Sequence, residues 1–190
     1  MENKEQGFVT IEGKRVAIQG EKNLLELVRK AGFNIVTFCY HPELAVYGAC
    51  RLCLVEIEGM GILASCTVTP KDGMKVRVNS DEIRKLRRIN LELLLSSGNH
   101  DCTLCSKSNN CKLQKLAKDM DVTEIRFKSK KLDSHKDATS AALVRDHSKC
   151  ILCGNCVRIC NEVQGIGAID FAFRGFKSKI ATAFNKELGG

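Results

Sequence analysis

The 190-residue sequence predicts an α+β fold assembled from three small pieces. Three observations predict it. Short runs of alternating apolar and polar residues recur as far as Val78, with glycine-bearing turns between them, as paired strands require. From Ser80 to Met120 that alternation gives way to helical periodicity. Eleven cysteines fall into three spaced groups, in a chain with few aromatics and no Trp. Small domains with thin cores need staples, and grouped cysteines can supply them.

Residues 1–79 form the first piece. Gly7 to Ile11 and Lys14 to Ile18 alternate about Glu12-Gly13 and read as a β-hairpin. Leu24, Leu25, Leu27 and Val28 make an amphipathic helix from Asn23 to Lys30 that closes at Gly32. An irregular stretch follows, holding Cys39, His41-Pro42 and Gly48. Arg51 to Glu58 alternates again, Gly59 and Gly61 mark a turn, Ile62 to Val68 returns, and Lys75 to Val78 is a closing strand. Hairpin, helix, loop, hairpin and closing strand together predict a β-grasp sheet packed on a helix. Cys39-x10-Cys50-x2-Cys53-x12-Cys66 sits on this framework. A [2Fe–2S] cluster needs four thiolates, two per iron, and this spacing can deliver them. Gly48 and Ala49 beside Cys50 suit a close backbone approach, where N–H groups donate to cluster sulfur. A zinc site, or four unrelated buried cysteines, is the competing reading.

Residues 80–120 form the second piece. Ser80 is a good N-cap, with Asp81 and Glu82 in the first turn. Ile83, Leu86, Ile89, Leu93 and Leu94 make a buried stripe that stops near Gly98. His100, Cys102, Cys105 and Cys111 then offer four mixed ligands within twelve residues, enough for one [4Fe–4S] cubane. Imidazole in place of one thiolate removes a negative charge and shifts the potential. Zinc held by the same His and three Cys is the alternative. Lys112 to Met120 reads as a short helix.

Residues 121–140 are charged and aperiodic and read as a linker, with Val122 to Phe127 as one strand. Residues 141–190 carry Cys150-x2-Cys153-x2-Cys156-x3-Cys160. Zinc sites normally join one close pair to another distant pair, whereas this tighter run belongs to iron–sulfur clusters. A helix is predicted over Cys156 to Gln164, placing Cys160 one turn beyond Cys156. Two short strands, Ala168 to Phe173 and Lys179 to Phe184, flank Arg174-Gly175-Phe176.

The formal charge of +8 could suggest nucleic acid. Each metal-bound cysteine is a thiolate outside that count, however, so filled sites draw the net charge toward neutral. The basic residues are spread out. Their concentrations at Arg84-Lys85-Leu86-Arg87-Arg88 and Lys128-Ser129-Lys130-Lys131 read as a solvated helix face and a basic loop. No nucleic-acid partner is expected. The first six residues are charged and polar with no apolar segment behind them, and no apolar run is long enough to span a bilayer. A cytoplasmic, reducing setting is therefore expected, where clustered cysteines bind metal more often than they pair as disulfides.

These motifs resemble a known family. Tyr47-Gly48-Ala49-Cys50-Arg51-Leu52-Cys53-Leu54-Val55-Glu56, Cys102-Thr103-Leu104-Cys105 to Cys111-Lys112-Leu113-Gln114, and Val144-Arg145-Asp146 through Cys160 carry the resemblance. The chain looks like the N-terminal electron-transfer region shared by iron-only hydrogenases, the large iron–sulfur subunit of NADH dehydrogenase (complex I), and the diaphorase small subunit of NAD-linked nickel–iron hydrogenases. The resemblance implies a β-grasp 2Fe-2S ferredoxin-type domain over 1–79. It implies a 4Fe-4S domain with one-His, three-Cys ligation over 80–120, and a ferredoxin-type 4Fe-4S segment over 141–190. The family places its His four residues before the first Cys of the second site, where this chain has Gly98. A Gly-Asn-His-x-Cys variant occurs among the diaphorase-type relatives and keeps His100 as the expected ligand. The family also continues with a second C-x2-C-x2-C-x3-C-P run. Here Cys160 is followed by Asn161, and the sequence ends before that run. The favoured account is a piece of a longer protein. The others are Cys160 bending back to complete a single [4Fe–4S], and an incomplete third site.

The expected function is single-electron relay between a redox partner, such as a flavin- or NADH-oxidising subunit or a ferredoxin, and a catalytic subunit of hydrogenase or formate dehydrogenase type, within a hetero-oligomeric complex. No Gly-x-Gly-x-x-Gly or Walker loop is present, so a self-contained oxidoreductase is the weaker reading. A zinc-stabilised protein- or nucleic-acid-binding module is the alternative from another class.

Overall fold

The computed structural model describes residues 6–98, 101–127 and 136–189. These residues fold as a mixed α+β chain, in two compact units.

The first unit comprises Met1–Tyr40 and Val46–Asn90. Strands β1 (Phe8–Ile11) and β2 (Lys14–Ala17) pair antiparallel, with Ile11 opposite Lys14. The two residues between them, Glu12 and Gly13, both take left-handed backbone angles (φ 47° and 77°), which a tight hairpin turn needs. β3 (Leu54–Ile57) and β4 (Gly61–Ala64) form the second hairpin, and β5 (Lys75–Arg77) lies between the two hairpins. The sheet order is β2-β1-β5-β3-β4, with β1 and β5 parallel and the other pairs antiparallel. Helix α1 (Leu24–Lys30) starts at Asn23, whose side chain accepts from the Glu26 N–H at 3.1 Å. Its Leu24, Leu25, Leu27 and Val28 have no solvent exposure and join Val9, Ile11, Val55, Ile57 and Val76 in one core. Each such side chain contributes roughly 2 kcal/mol by leaving water. Cys53 and Cys66 belong to the same core, so the sheet and α1 fix two of the candidate ligands by packing.

Helix α2 (Asp81–Ser96) begins where predicted, with the Ser80 hydroxyl accepting from the Ile83 N–H at 3.3 Å. The second unit comprises His41–Ala45 and Leu91–Gly190. It contains α3 (Lys112–Asp119), the short pair β6 (Lys136–Asp137) and β7 (Arg145–Asp146), α4 (Asn155–Arg158), and the hairpin β8 (Ile169–Ala172) with β9 (Lys179–Thr182). Four expectations are corrected. Leu93, placed in the buried stripe of α2, is exposed, and Leu91 is buried instead. Val122 to Phe127 is not a strand, because no strand among the described residues pairs with it. The helix expected over Cys156 to Gln164 runs as α4 and then widens into a π-turn at Ile159–Val163. Cys66 lies not in a strand but in a 3-10 turn, Ser65–Thr67, after β4. No helix among the described residues is long and apolar enough to cross a membrane.

Candidate functional site: three cysteine groups

Cys39, Cys50, Cys53 and Cys66 are all buried. They are arranged as two pairs. The Cys39 Sγ donates to the Cys50 Sγ at 3.4 Å, and the Cys50 N–H donates back to the Cys39 Sγ at 3.4 Å. The Phe38 N–H reaches the Cys50 Sγ at 3.5 Å. Two thiolates on one tetrahedral ion, each at about 2.3 Å, stand about 3.8 Å apart, so the first pair is close to the spacing one metal requires. Cys66 and Cys53 likewise interact, the Cys66 thiol favouring the Cys53 thiolate. These bonds set the charge. The Cys39 S–H holds the Cys50 thiol down to about 5, and the Cys66 S–H holds Cys53 down to about 6. Cys39 and Cys66, as the donors, are pushed well above the ordinary thiol range. Each pair therefore shares a proton, which is lost when metal enters.

Backbone geometry delivers those sulfurs. Gly48 is buried with φ 67°, and a Cβ there would meet the Thr67 methyl at 2.9 Å. The loop segment before Cys50 can thus lie against the residue after Cys66 only because position 48 lacks a side chain. Arg51 follows with φ 51° and curls the Cys50–Cys53 segment. The Cys53 carbonyl accepts from the Ser65 N–H at 3.0 Å and the Ser65 hydroxyl at 2.8 Å, which ties the two ends of the β3–β4 hairpin beside Cys66. Four thiols in two pairs with backbone N–H donors on sulfur suit a two-iron centre, and no three Cys, His, Asp or Glu groups among the described residues converge on one ion.

The second group lies in consecutive turns. The Cys105 N–H donates to the Cys102 carbonyl at 3.4 Å, and the Ser108 N–H to the Cys105 carbonyl at 2.9 Å. Asp101 accepts from the Thr103 N–H at 3.2 Å and the Thr103 hydroxyl at 2.5 Å, which starts the turn and lowers the Asp101 carboxyl below its ordinary value. Cys111 occupies the N-cap position of α3 without using its sulfur as a cap. Cys102 is exposed, and Cys105 and Cys111 are half-buried. His100 lies outside the described residues.

In the third group burial pushes the Cys150 thiol up, and the neighbouring Cys156 and Cys153 add to that rise. Leu152 (φ 53°) and Gly154 (φ 73°) bend the chain between them, and the Leu152 N–H points at the Cys150 Sγ at 3.4 Å. Cys160 is buried in the π-turn and accepts from the Ala168 N–H at 3.3 Å. Arg158 and Glu162, on either side of Cys160, hold the carbonyl and the N–H of Ala45, the latter at 2.7 Å.

Sequence reasoning missed Arg87 and Asn90. Arg87 donates from Nη2 to the Leu54 carbonyl at 2.5 Å, and Asn90 from Nδ2 to the Arg51 carbonyl at 3.0 Å. Their spacing of three puts both on one helix face, but nothing in the sequence marks that face as the one opposite a cysteine loop.

Comparison with known proteins places iron–sulfur families on two of these regions. Residues 8–81 match the 2Fe-2S iron-sulfur cluster binding domain, and residues 87–126 match the NADH-ubiquinone oxidoreductase-G iron-sulfur binding region. The NADP-reducing hydrogenase subunit HndD of Solidesulfovibrio fructosivorans is 36% identical over 95% of this chain and 32% of its own length. The NAD-reducing hydrogenase HoxS subunit gamma of Cupriavidus necator is 31% identical over 90% of this chain and 74% of its own. The mitochondrial NADH-ubiquinone oxidoreductase 78 kDa subunit of Candida albicans is 32% identical over 95% of this chain and 25% of its own. The chain thus spans about a third of the length of HndD and a quarter of that of the 78 kDa subunit. A crystal structure of NAD+-reducing [NiFe]-hydrogenase in the H2-reduced state superposes with a TM-score of 0.87 at 34% identity, covering 96% of this chain and 78% of that one. Nothing in these matches favours a zinc-stabilised module.

Proposed function

This chain belongs to the family of the NAD-reducing hydrogenase HoxS subunit gamma, and on that premise we propose that it relays single electrons within a larger redox complex. The observation that carries the reading is the pairing of four buried cysteines, Cys39 with Cys50 and Cys53 with Cys66, inside the region matched to a 2Fe-2S cluster binding domain. The sheet order and the packing of α1 support a β-grasp frame for that site.

Bound there, a [2Fe–2S] cluster supplies a one-electron couple. The chain's residues do the rest. Cys39 and Cys66 release protons on loading, and the core around Cys53 and Cys66 keeps water from the sulfurs. In the second unit, His100, Cys102, Cys105 and Cys111 would hold one [4Fe–4S] cluster, and Cys150, Cys153, Cys156 and Cys160 a further one. The proposed domain limits are 1–79, 80–120, a linker over 121–140, and 141–190. The partners are a flavin- or NADH-oxidising subunit, or a ferredoxin, on one side and a catalytic redox subunit on the other. The relatives' names favour an NAD-linked hydrogenase over a formate dehydrogenase. The setting is cytoplasmic.

Anaerobic purification of the full chain with iron, acid-labile sulfide and EPR measurement tests the reading. One reduced [2Fe–2S] signal and at least one [4Fe–4S] signal are expected. C50S or C53S should remove only the first, and C105S only a [4Fe–4S] signal. H100A should alter a [4Fe–4S] signal and spare the [2Fe–2S]. Zinc without sulfide would reject the proposal.

A further inference from the structure

The run Arg84 to Arg88 looks like a charged, solvated helix face, but Arg87 is turned away from that role. It is half-buried, its Nη2 donates to the Leu54 carbonyl at 2.5 Å, and its Nε is buried with no hydrogen-bond partner among the described residues. Leu54 directly follows Cys53. Three residues along the same helix, Asn90 donates to the Arg51 carbonyl at 3.0 Å. The two side chains of α2 therefore grip the carbonyls on either side of Leu52-Cys53. Only Arg87 brings a charge, and burying a guanidinium merely to hold one carbonyl is expensive when Asn90 does the same task without charge.

We propose that Arg87 is a tuning residue of the candidate two-iron site: its half-buried, permanent positive charge beside Cys53 raises the reduction potential of a [2Fe–2S] centre held by Cys39, Cys50, Cys53 and Cys66. The inference rests on the electron-relay reading above. Reduction adds one electron and makes the centre one charge more negative, with no proton required. A fixed cation at short range stabilises the reduced form more than the oxidised one, and the low-dielectric surroundings preserve that difference. The guanidinium suits the task because it cannot discharge over any physiological pH. The Cys53 thiolate and Arg87 already sense each other: burial lowers the Arg87 guanidinium from its ordinary value, and Cys53 opposes that fall.

The test is an EPR-monitored redox titration of the [2Fe–2S] signal in the full chain, wild type against R87Q, R87M, R87K and N90A, each with iron and sulfide content measured first. R87Q is expected to move the midpoint negative by about tenfold in the one-electron equilibrium, about 59 mV. R87K should recover most of that shift, and N90A, which loses a grip but no charge, should stay near wild type. Should R87Q lose its cluster, R87M keeps the apolar stem and supplies the neutral comparison. A midpoint unchanged in the neutral variant overturns the inference, as does N90A shifting as far as R87Q, which would make the effect one of loop position. A wild-type chain carrying no [2Fe–2S] centre would instead overturn the electron-relay reading, so the two failures are distinct.

Discussion

Glu92 has no solvent exposure, and Arg126 closes on it with two prongs, Nε to Oε2 at 2.7 Å and Nη2 to Oε1 at 3.0 Å. The pair joins α2 to the far end of the region matched to the NADH-ubiquinone oxidoreductase-G iron-sulfur binding region. A buried carboxylate stripped of a charged partner is strongly destabilising, whereas an apolar pair of similar volume in its place is often near neutral. R126L should therefore lower the thermal midpoint by several degrees, and E92L/R126L should regain a large part of the loss. Circular dichroism melts of the three proteins decide it, and a double variant as unstable as R126L alone would mean that Glu92 is held by other means.

Gly48 gives a sharper case, because its two constraints can be separated. An alanine there must adopt a left-handed conformation, at about 1–2 kcal/mol, and must also displace the Thr67 methyl that a Cβ would meet at 2.9 Å. Overpacking of that kind adds roughly 1–3 kcal/mol. G48A should lower both stability and iron content at the Cys39–Cys66 site. G48A/T67S removes the obstructing methyl and keeps the hydroxyl that donates to the Ala64 carbonyl at 2.8 Å. It should recover the steric share and leave the backbone share. Urea midpoints with iron analysis would show this, and no recovery in the double variant would place the whole cost in the backbone.

The sequence made the local structure legible where one short window decides it. Glu12-Gly13 between alternating runs names its own hairpin, and Asn23 followed by Leu24, Leu25, Leu27 and Val28 names its own helix. The grouping of the cysteines was equally readable, since spacing is a property of the chain. What spacing could not convey is which sulfur faces which. Cys39 lies opposite Cys50 rather than Cys53 because of left-handed turns at Gly48 and Arg51, and an arginine at such a turn gives no sequence signal. Val122 to Phe127 has the apolar content of a strand, but a strand needs a neighbour, and the residue that matters there is Arg126 for Glu92. Arg87 was hidden for a similar reason. Within a run of like charges nothing marks the one that a distant carbonyl will claim.

Asn23 tests whether the frame and the cluster loop are separable. Its side chain caps α1 through the Glu26 N–H at 3.1 Å and also donates to the Tyr40 hydroxyl at 3.1 Å, while that hydroxyl donates to Glu26 Oε1 at 2.5 Å. The first turn of α1 is thereby tied to the residue after Cys39. N23A should cost about 1 kcal/mol for the lost cap. If the tie to Tyr40 also positions Cys39, the [2Fe–2S] EPR line shape should change in N23A and in Y40F alike. A stability loss in N23A with an unaltered line shape in both would confine the residue to the frame.

Asp137 makes the acid limit of the second unit predictable. Its buried carboxylate accepts from the Thr139 N–H at 3.2 Å and hydroxyl at 2.7 Å through Oδ1, and from Arg145 Nη2 at 2.8 Å and the Leu188 N–H at 2.9 Å through Oδ2. The Thr139 hydroxyl contributes most to holding this carboxyl at about 2, with the Leu188 and Thr139 N–H groups and Arg145 adding to it. The unfolded value is about 3.9. A depressed carboxyl favours the folded state when ionised, so its contribution is complete above about pH 4 and is lost as pH falls through about 2. D137N replaces one acceptor oxygen with a donor facing donors. It should be less stable than wild type at neutral pH, and the gap between the two proteins should close as pH is lowered from 4 to 2. Because every other group titrates in both proteins, the difference isolates Asp137. The Lys186 carbonyl, held by Arg145 at 3.3 Å, and the Gly189 N–H, held by Thr139 at 3.0 Å, share this anchor. Limited proteolysis at neutral pH should therefore cut D137N first near residues 186–189, and a gap in stability that stays constant with pH would show that the carboxylate charge is not what fastens them.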